Sequence, residues 1–269
     1  MSRPPVALTI AGSDPSGGAG IQADIKTFSA LGVYGTSVIT ALTAQNTQGV
    51  TAVHVVPTEF VTQQLETLVA DVRLDAIKIG MLANASLVSA VGSFLRQHPH
   101  PCVVLDPVMV ATSGDRLLDD DAIQEMRELM PLTSLVTPNL AEAAALLDTR
   151  TARTLADMRR QAMALRELGA PRVLIKGGHH DAGPDAVDLL LDVDGEMLLR
   201  APRVETLSTH GTGCTLSSAL AALRPQRDSW IEAAIEAKSW LTKALAAADV
   251  LEIGHGHGPV HHFHQIWHQ

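Results

Sequence analysis

Short β-branched apolar runs alternate along this chain with longer stretches of helical period, and that alternation limits the fold more than any other feature. Val6 to Ala11, Ser37 to Leu42, Ala76 to Ile79, Val103 to Leu105, Leu135 to Thr137 and Val173 to Lys176 read as strands apolar enough to be covered on both faces. Between them, Ile21 to Leu31, Thr58 to Ala70, Ser86 to His98, Asp119 to Met130, Leu140 to Leu147 and Leu155 to Leu168 read as amphipathic helices, several stopped by Gly or Pro. Such an order builds a mostly parallel sheet with helices on both faces, a three-layer α/β/α fold. Val187 to Leu191 and Met197 to Leu199 flank Asp194-Gly195, a hairpin signal that adds antiparallel strands at one edge. Trp230 to Val250 is Ala-rich and helical, and Gly254-His255-Gly256-His257-Gly258-Pro259 ends that pattern.

The 269 residues show no internal repeat and no dividing linker, so one domain over 1–269 is expected, with 254–269 as a His-rich tail. Aromatics are only 3% of the chain while hydrophobic residues reach 46%, so the core must be built from Ala, Val, Leu and Ile rather than from rings. That apolar content excludes a disordered chain or a disulfide scaffold. A net charge of −9 with no basic cluster argues against nucleic acid and for a small-molecule partner. The apolar stretch near Met1 is interrupted at Thr9 and ended by Asp14, too short for a signal peptide or membrane span, so a cytoplasmic protein is expected. Cys102 and Cys214 lack Cys-x-x-Cys spacing, which suggests neither a zinc ribbon nor a redox pair.

Several strand ends carry chemistry. The first strand runs into Gly12-Ser13-Asp14-Pro15-Ser16-Gly17-Gly18-Ala19-Gly20, where open α/β sheets bind ligands, although a plain flexible strand-to-helix turn reads equally well. Neither Gly-x-Gly-x-x-Gly nor the P-loop Lys-Ser/Thr is present. Thr209-His210-Gly211-Thr212-Gly213-Cys214-Thr215 opens a helix that stops at Pro225. Its glycines expose backbone N–H groups which, with the helix dipole behind them, suit an oxyanion or a transferring phosphoryl group. Cys214 in that first turn is expected to have a lowered pKa and to act as base or nucleophile; a small packed thiol is the alternative. Asp106 and Glu142 follow two strands at the same sheet edge and suit Mg²⁺, while Asn139 and Glu142 also spell a capping box. Lys176 ends the strand Val173 to Ile175, where a charge would point toward nucleotide phosphates, although an isolated Lys at a strand end is usually only solvated; Gln45 offers an acceptor beside a donor, a match for an aminopyrimidine edge. Six of the twelve His residues lie between His255 and His268; Val260, Phe263, Ile266 and Trp267 among them favour a packed tail over a metal tract.

Taken together, Ala11 to Asp24, Thr40 to Thr47, Lys78 to Leu82, Asp106 to Val110, Thr137 to Asn139, Lys176 to His179 and His210 to Thr215 resemble the hydroxymethylpyrimidine/phosphomethylpyrimidine kinases of thiamine biosynthesis, within the ribokinase-like superfamily. The resemblance covers nearly the whole chain and implies two ATP-dependent phosphorylations, of 4-amino-5-hydroxymethyl-2-methylpyrimidine and then of its monophosphate. By resemblance, Asp24, Gln45, Met81 and Val108 line the pyrimidine pocket; Gly211, Thr212 and Gly213 form the anion hole; Cys214 is the base; Asp106 and Glu142 make the Mg²⁺ region; and Lys176 belongs to the ATP side. It also favours a homodimer. Family members often carry Lys where this chain has Thr112, and sugar kinases of the superfamily carry Asp in place of Cys214. Pyridoxal kinase is the competing enzyme reading, since pyridoxal offers a similar ring-borne hydroxymethyl group, and a non-catalytic pyrimidine- or nucleotide-binding regulator is the competing reading outside enzymes.

Overall fold

Val6–Ser13 (β1) lies inside a nine-stranded sheet, and the computed structural model describes residues 3–110, 121–178 and 183–267 around it. Tyr34–Asn46 (β2), Ala76–Ile79 (β4), Val103–Leu105 (β5), Leu135–Val136 (β6) and Val173–Ile175 (β7) run parallel to β1. Gly49–Val55 (β3) pairs antiparallel with β2 at one edge, and the hairpin Asp185–Asp192 (β8) and Gly195–Pro202 (β9) closes the other. The order is β3-β2-β1-β4-β5-β6-β7-β8-β9, so successive strands are added to one side of β1 up to β3 and to its other side from β4 onward. In open α/β sheets that change of side opens a crevice at the strands' carboxyl ends.

The helices are Gly20–Ala30 (α1), Thr58–Val69 (α2), Ala85–Gln97 (α3), Ala122–Leu129 (α4), Leu140–Leu147 (α5), Leu155–Glu167 (α6), Thr212–Leu223 (α7) and Trp230–Ala246 (α8). They divide by sheet face, as strand periodicity requires. Leu8, Ile10, Ile77 and Ile79 join the core under α2 to α6, while Ala7 and Ala76 join the one under α1, α7 and α8. Because alternate residues face opposite ways, Thr9 and Lys78 are directed toward the α1 and α7 side. Among the described residues, no helix is long and apolar enough to cross a membrane.

The three-layer architecture and the edge hairpin agree with the sequence reading, but β3 was not foreseen. Val50 to Val55 is mostly exposed, and its apolar residues are split between the two faces, Ala52 on one and Val53 and Val55 on the other, which blurs the alternation that marks a half-buried strand. The final stretch of β2 pairs with β3 alone, projecting past β1 over the strand ends, and the register shifts between Ala44 and Gln45. Such a bulge re-aims the side chain beside it. Thr112, His179, and the expected helix start at Asp119 lie outside the described residues.

Candidate active site

Two glycine-bearing loops meet above the crevice. The first, after β1, is a folded loop rather than a flexible turn: Asp14 Oδ1 accepts from Ser16 N–H at 2.8 Å and from the Ser16 hydroxyl at 2.7 Å, while Oδ2 accepts from Gly18 N–H at 3.1 Å and Ala19 N–H at 2.8 Å. Asp followed by Ser two positions on is the sequence signal for such a turn. Burial works to raise the Asp14 pKa, but the His210 hydrogen bond and these donors outweigh it and hold it below the usual carboxylate value. The second loop enters α7 through Gly211, in the left-handed region at φ 74°. A methyl group on Gly211 would overlap the Gly18 carbonyl oxygen, and one on Gly18 would overlap the His210 ring. His210 Nε2 completes the junction at 2.8 Å from Asp14 Oδ2.

Beyond that turn, no side chain caps α7, which leaves the helix end suited to an anion. Thr212 differs from its expected role, because its N–H reaches Thr209 O at 3.3 Å and its hydroxyl donates to the same oxygen at 2.6 Å. It braces the turn. A methyl group on Gly213 would stand 3.2 Å from Lys176 Nζ and 3.9 Å from Asp106 Oδ2, so the turn abuts these charges directly. Lys176 donates to Asp106 Oδ1 at 2.6 Å and lies 3.7 Å from Glu142 Oε2. Burial tends to discharge Lys176, yet the Asp106 and Glu142 carboxylates overcome it and keep its pKa raised. Burial pushes Glu142 above the usual carboxylate range against the pull of Lys176, with Asp106 adding to the rise. The capping box is also real, since Glu142 N–H donates to Asn139 Oδ1 and Asn139 N–H to Glu142 Oε2.

Cys214 sits half-buried in the first turn of α7. Its expected low pKa is not what the surroundings produce: burial pushes the thiol up to about 11, against the opposing effects of the Lys78 charge and a Gly20 N–H bond, while Asp24 and Asp106 push it further up. Desolvation therefore outweighs the helix terminus. Lys78 had no assigned role, although a lysine inside Ala-Ile-Lys-Ile is a charge in a buried strand and demands a partner. It donates to both Asp24 oxygens at 3.0 and 2.9 Å, and both residues are 0% exposed. Thr9 at 2.6 Å and Ser218 at 2.6 Å donate to the same carboxylate. Asp24, expected to line the pocket, is thus wholly engaged beneath the site.

The remaining expected pocket residues lie near the crevice. Met81 is buried, its carbonyl accepting from the Thr40 hydroxyl at 2.7 Å, and its sulfur would lie 3.1 Å from a methyl group on Gly12. Val108 is half-buried after β5, and Gln45 on the projecting hairpin places Nε2 3.3 Å from His210 Nε2. Cys102 is a core thiol raised to about 12 by burial.

The tail packs as a strap across the loops. Gly256 N–H reaches Thr47 Oγ1 at 3.2 Å and His257 N–H reaches Thr47 O at 2.8 Å; His210 N–H then donates to Gly258 O at 3.0 Å. Val260, His261 and His262 are buried, with His262 Nε2 3.1 Å from the Thr215 hydroxyl.

Chains that share this arrangement are ribokinase-like kinases. The pyridoxal kinase of Bacillus subtilis, solved as an ADP complex, superposes with a TM-score of 0.90 at 35% identity, covering 99% of this chain and 100% of its own. A phosphomethylpyrimidine kinase structure from Clostridium difficile gives 0.79 at 38% identity, covering 90% and 99%. The hydroxymethylpyrimidine/phosphomethylpyrimidine kinase of Escherichia coli is 57% identical over 262 residues, spanning 97% of this chain and 98% of that protein. The phosphomethylpyrimidine kinase family model matches residues 14–261, and the chain belongs to that family.

Proposed function

We propose that this enzyme transfers the γ-phosphoryl group of ATP to the hydroxymethyl oxygen of 4-amino-5-hydroxymethyl-2-methylpyrimidine, and a second phosphoryl group to the resulting monophosphate, in thiamine biosynthesis. The observation that carries this reading is the meeting of Cys214, the Gly211–Gly213 turn and the Lys176–Asp106 pair at one sheet edge, under a hairpin that presents Gln45. The 57% identity to the Escherichia coli enzyme favours it over pyridoxal kinase, whose structural relative stands at 35%.

In the first step the hydroxymethyl proton passes to the thiolate form of Cys214, the oxygen bonds to the γ-phosphorus, and the bond to the bridging oxygen of ADP breaks. Lys176 and the amides at the start of α7 meet the charge that spreads over the phosphoryl oxygens. Asp106 and Glu142 supply two hard oxygen donors beside Lys176, a set that fits Mg²⁺ shared with nucleotide phosphates and water. When bound, Mg²⁺ would neutralise phosphate charge. The second step needs less base, because a phosphomonoester with a second pKa of about 6 is already largely ionised at neutral pH.

Met81 and Val108 serve as the apolar walls of the pyrimidine site in this reading, and Asp24 supports it from below. The enzyme acts in the cytoplasm as a homodimer, with exposed Val53 and Val55 on one face of the β2–β3 hairpin available to a second copy. Single-turnover assays with MgATP should show Cys214→Ser slowing the first phosphorylation roughly 10²- to 10⁴-fold and the second much less. Equal losses would remove Cys214 as the base. Faster turnover of pyridoxal than of either pyrimidine by the unmodified enzyme would overturn the substrate assignment, and ligand binding without turnover would favour the regulator.

A further inference from the structure

His210 stands between two groups that compete for one nitrogen. Its Nε2 lies 2.8 Å from Asp14 Oδ2 and 3.3 Å from the Gln45 amide. Asp14 is held as a carboxylate by its donors, so a bond of that length requires a proton on His210 Nε2. A Gln45 N–H directed at the same nitrogen would then set donor against donor. Turned by 180°, the amide instead offers Oε1 to the His210 proton, which Asp14 and Gln45 share.

Thr43 supports the turned orientation. Its hydroxyl donates to Ser13 O at 2.9 Å and lies 3.1 Å from the second Gln45 amide atom. With its proton committed to Ser13, that oxygen is suited to accept, which calls for Nε2 there. His210 is 6% exposed and packs over Gly18, so the ring cannot swing away to relieve a mismatch.

We propose that His210, fixed by Asp14, is a positioning residue that holds the Gln45 amide in one orientation and thereby selects a 4-aminopyrimidine over a 4-oxopyrimidine. This rests on the reading that Gln45 faces the pyrimidine. In the fixed orientation, the remaining lone pair on Oε1 accepts from the exocyclic amine, and the remaining N–H on Nε2 donates to the adjacent ring nitrogen. A 4-oxopyrimidine presents an acceptor and a ring N–H in the reverse order. Pairing with it would turn the amide back and leave the His210 proton facing an N–H. The discrimination thus originates in a side chain that does not itself touch the ring.

The test is kcat/KM for 5-hydroxymethyl-2-methylpyrimidine substrates bearing 4-amino or 4-oxo groups, using the full chain and saturating MgATP. His210→Ala should lower the 4-amino to 4-oxo ratio at least about tenfold, whereas His210→Gln, which restores two N–H donors, should keep it within about threefold. Thr43→Val, on the projecting hairpin and outside the buried Asp14–His210 pair, should lower the ratio in the same direction, and it decides the matter if His210→Ala does not fold. An unchanged ratio in folded His210→Ala, or in Thr43→Val where the first variant fails, would overturn the proposal. Gln45→Ala separates the two ideas: an unchanged pyrimidine KM there would overturn the reading of Gln45 itself.

Discussion

At Cys214 two effects of opposite sign meet, and their balance fixes when the thiol can take a proton. Burial brings its pKa to about 11 even with Lys78 and the Gly20 N–H opposing, so at neutral pH nearly every thiol is protonated. The thiolate fraction then rises tenfold for each pH unit below that value. We expect kcat/KM for the first phosphorylation to climb steadily between about pH 7 and 9, with the second nearly flat over the same range. Parallel profiles would argue against proton transfer to Cys214. Lys78 contributes to stability as well as to charge at the thiol. Lys78→Met leaves the Asp24 carboxylate fully buried without its cation and should cost roughly 3–5 kcal/mol in urea unfolding. Gln45, Cys214, Lys176, Asp106 and Glu142 stand out in the sequence as candidates because each ends a strand, opens a helix or sits in a distinctive motif. The role of Lys78 was legible only as a demand, since its partner lies on another element.

Elements, too, differ in how openly the sequence announces them. Apolar periodicity places the parallel strands and their helices, because each buries a face that must be continuous in sequence. β3 buries no such face, and the contact between Gly18 and Gly211 depends on two loops brought together only by the sheet order. That contact has no room for even one methyl group, and Gly211 also needs a positive φ. Gly211→Ala should therefore displace the start of α7 and reduce both phosphorylations, by about 10²- to 10³-fold if the amide donors are lost. Single-turnover rates distinguish this from Cys214→Ser, which spares the second step. A normal rate for Gly211→Ala would show that the turn does not contribute those donors.

Over the whole molecule, the strap from Gly256 to His262 links the β2–β3 hairpin, the His210–Gly211 turn and α7. The histidine spacing drew attention to metal, but the apolar residues between them were the better guide, since burial of Val260 carries His261 and His262 inside with it. Burial first, then nearby Lys26, His261 and His264, lowers the His262 pKa to about 3. The unfolded chain therefore binds a proton here that the folded chain refuses, and stability falls as pH drops from about 6.5 toward 3. His262→Gln removes that titration. Thermal melts should show the advantage of the unsubstituted protein over the variant shrinking between pH 7.5 and 5; a constant gap would show that His262 does not titrate this way. The strap also lies late in the chain, after every loop it braces. During translation, the Gly18 loop, the hairpin and the glycine turn all leave the ribosome before Gly258 and His262 do, so the nascent chain holds the parts of a phosphoryl-transfer site before it holds the piece that locks them together.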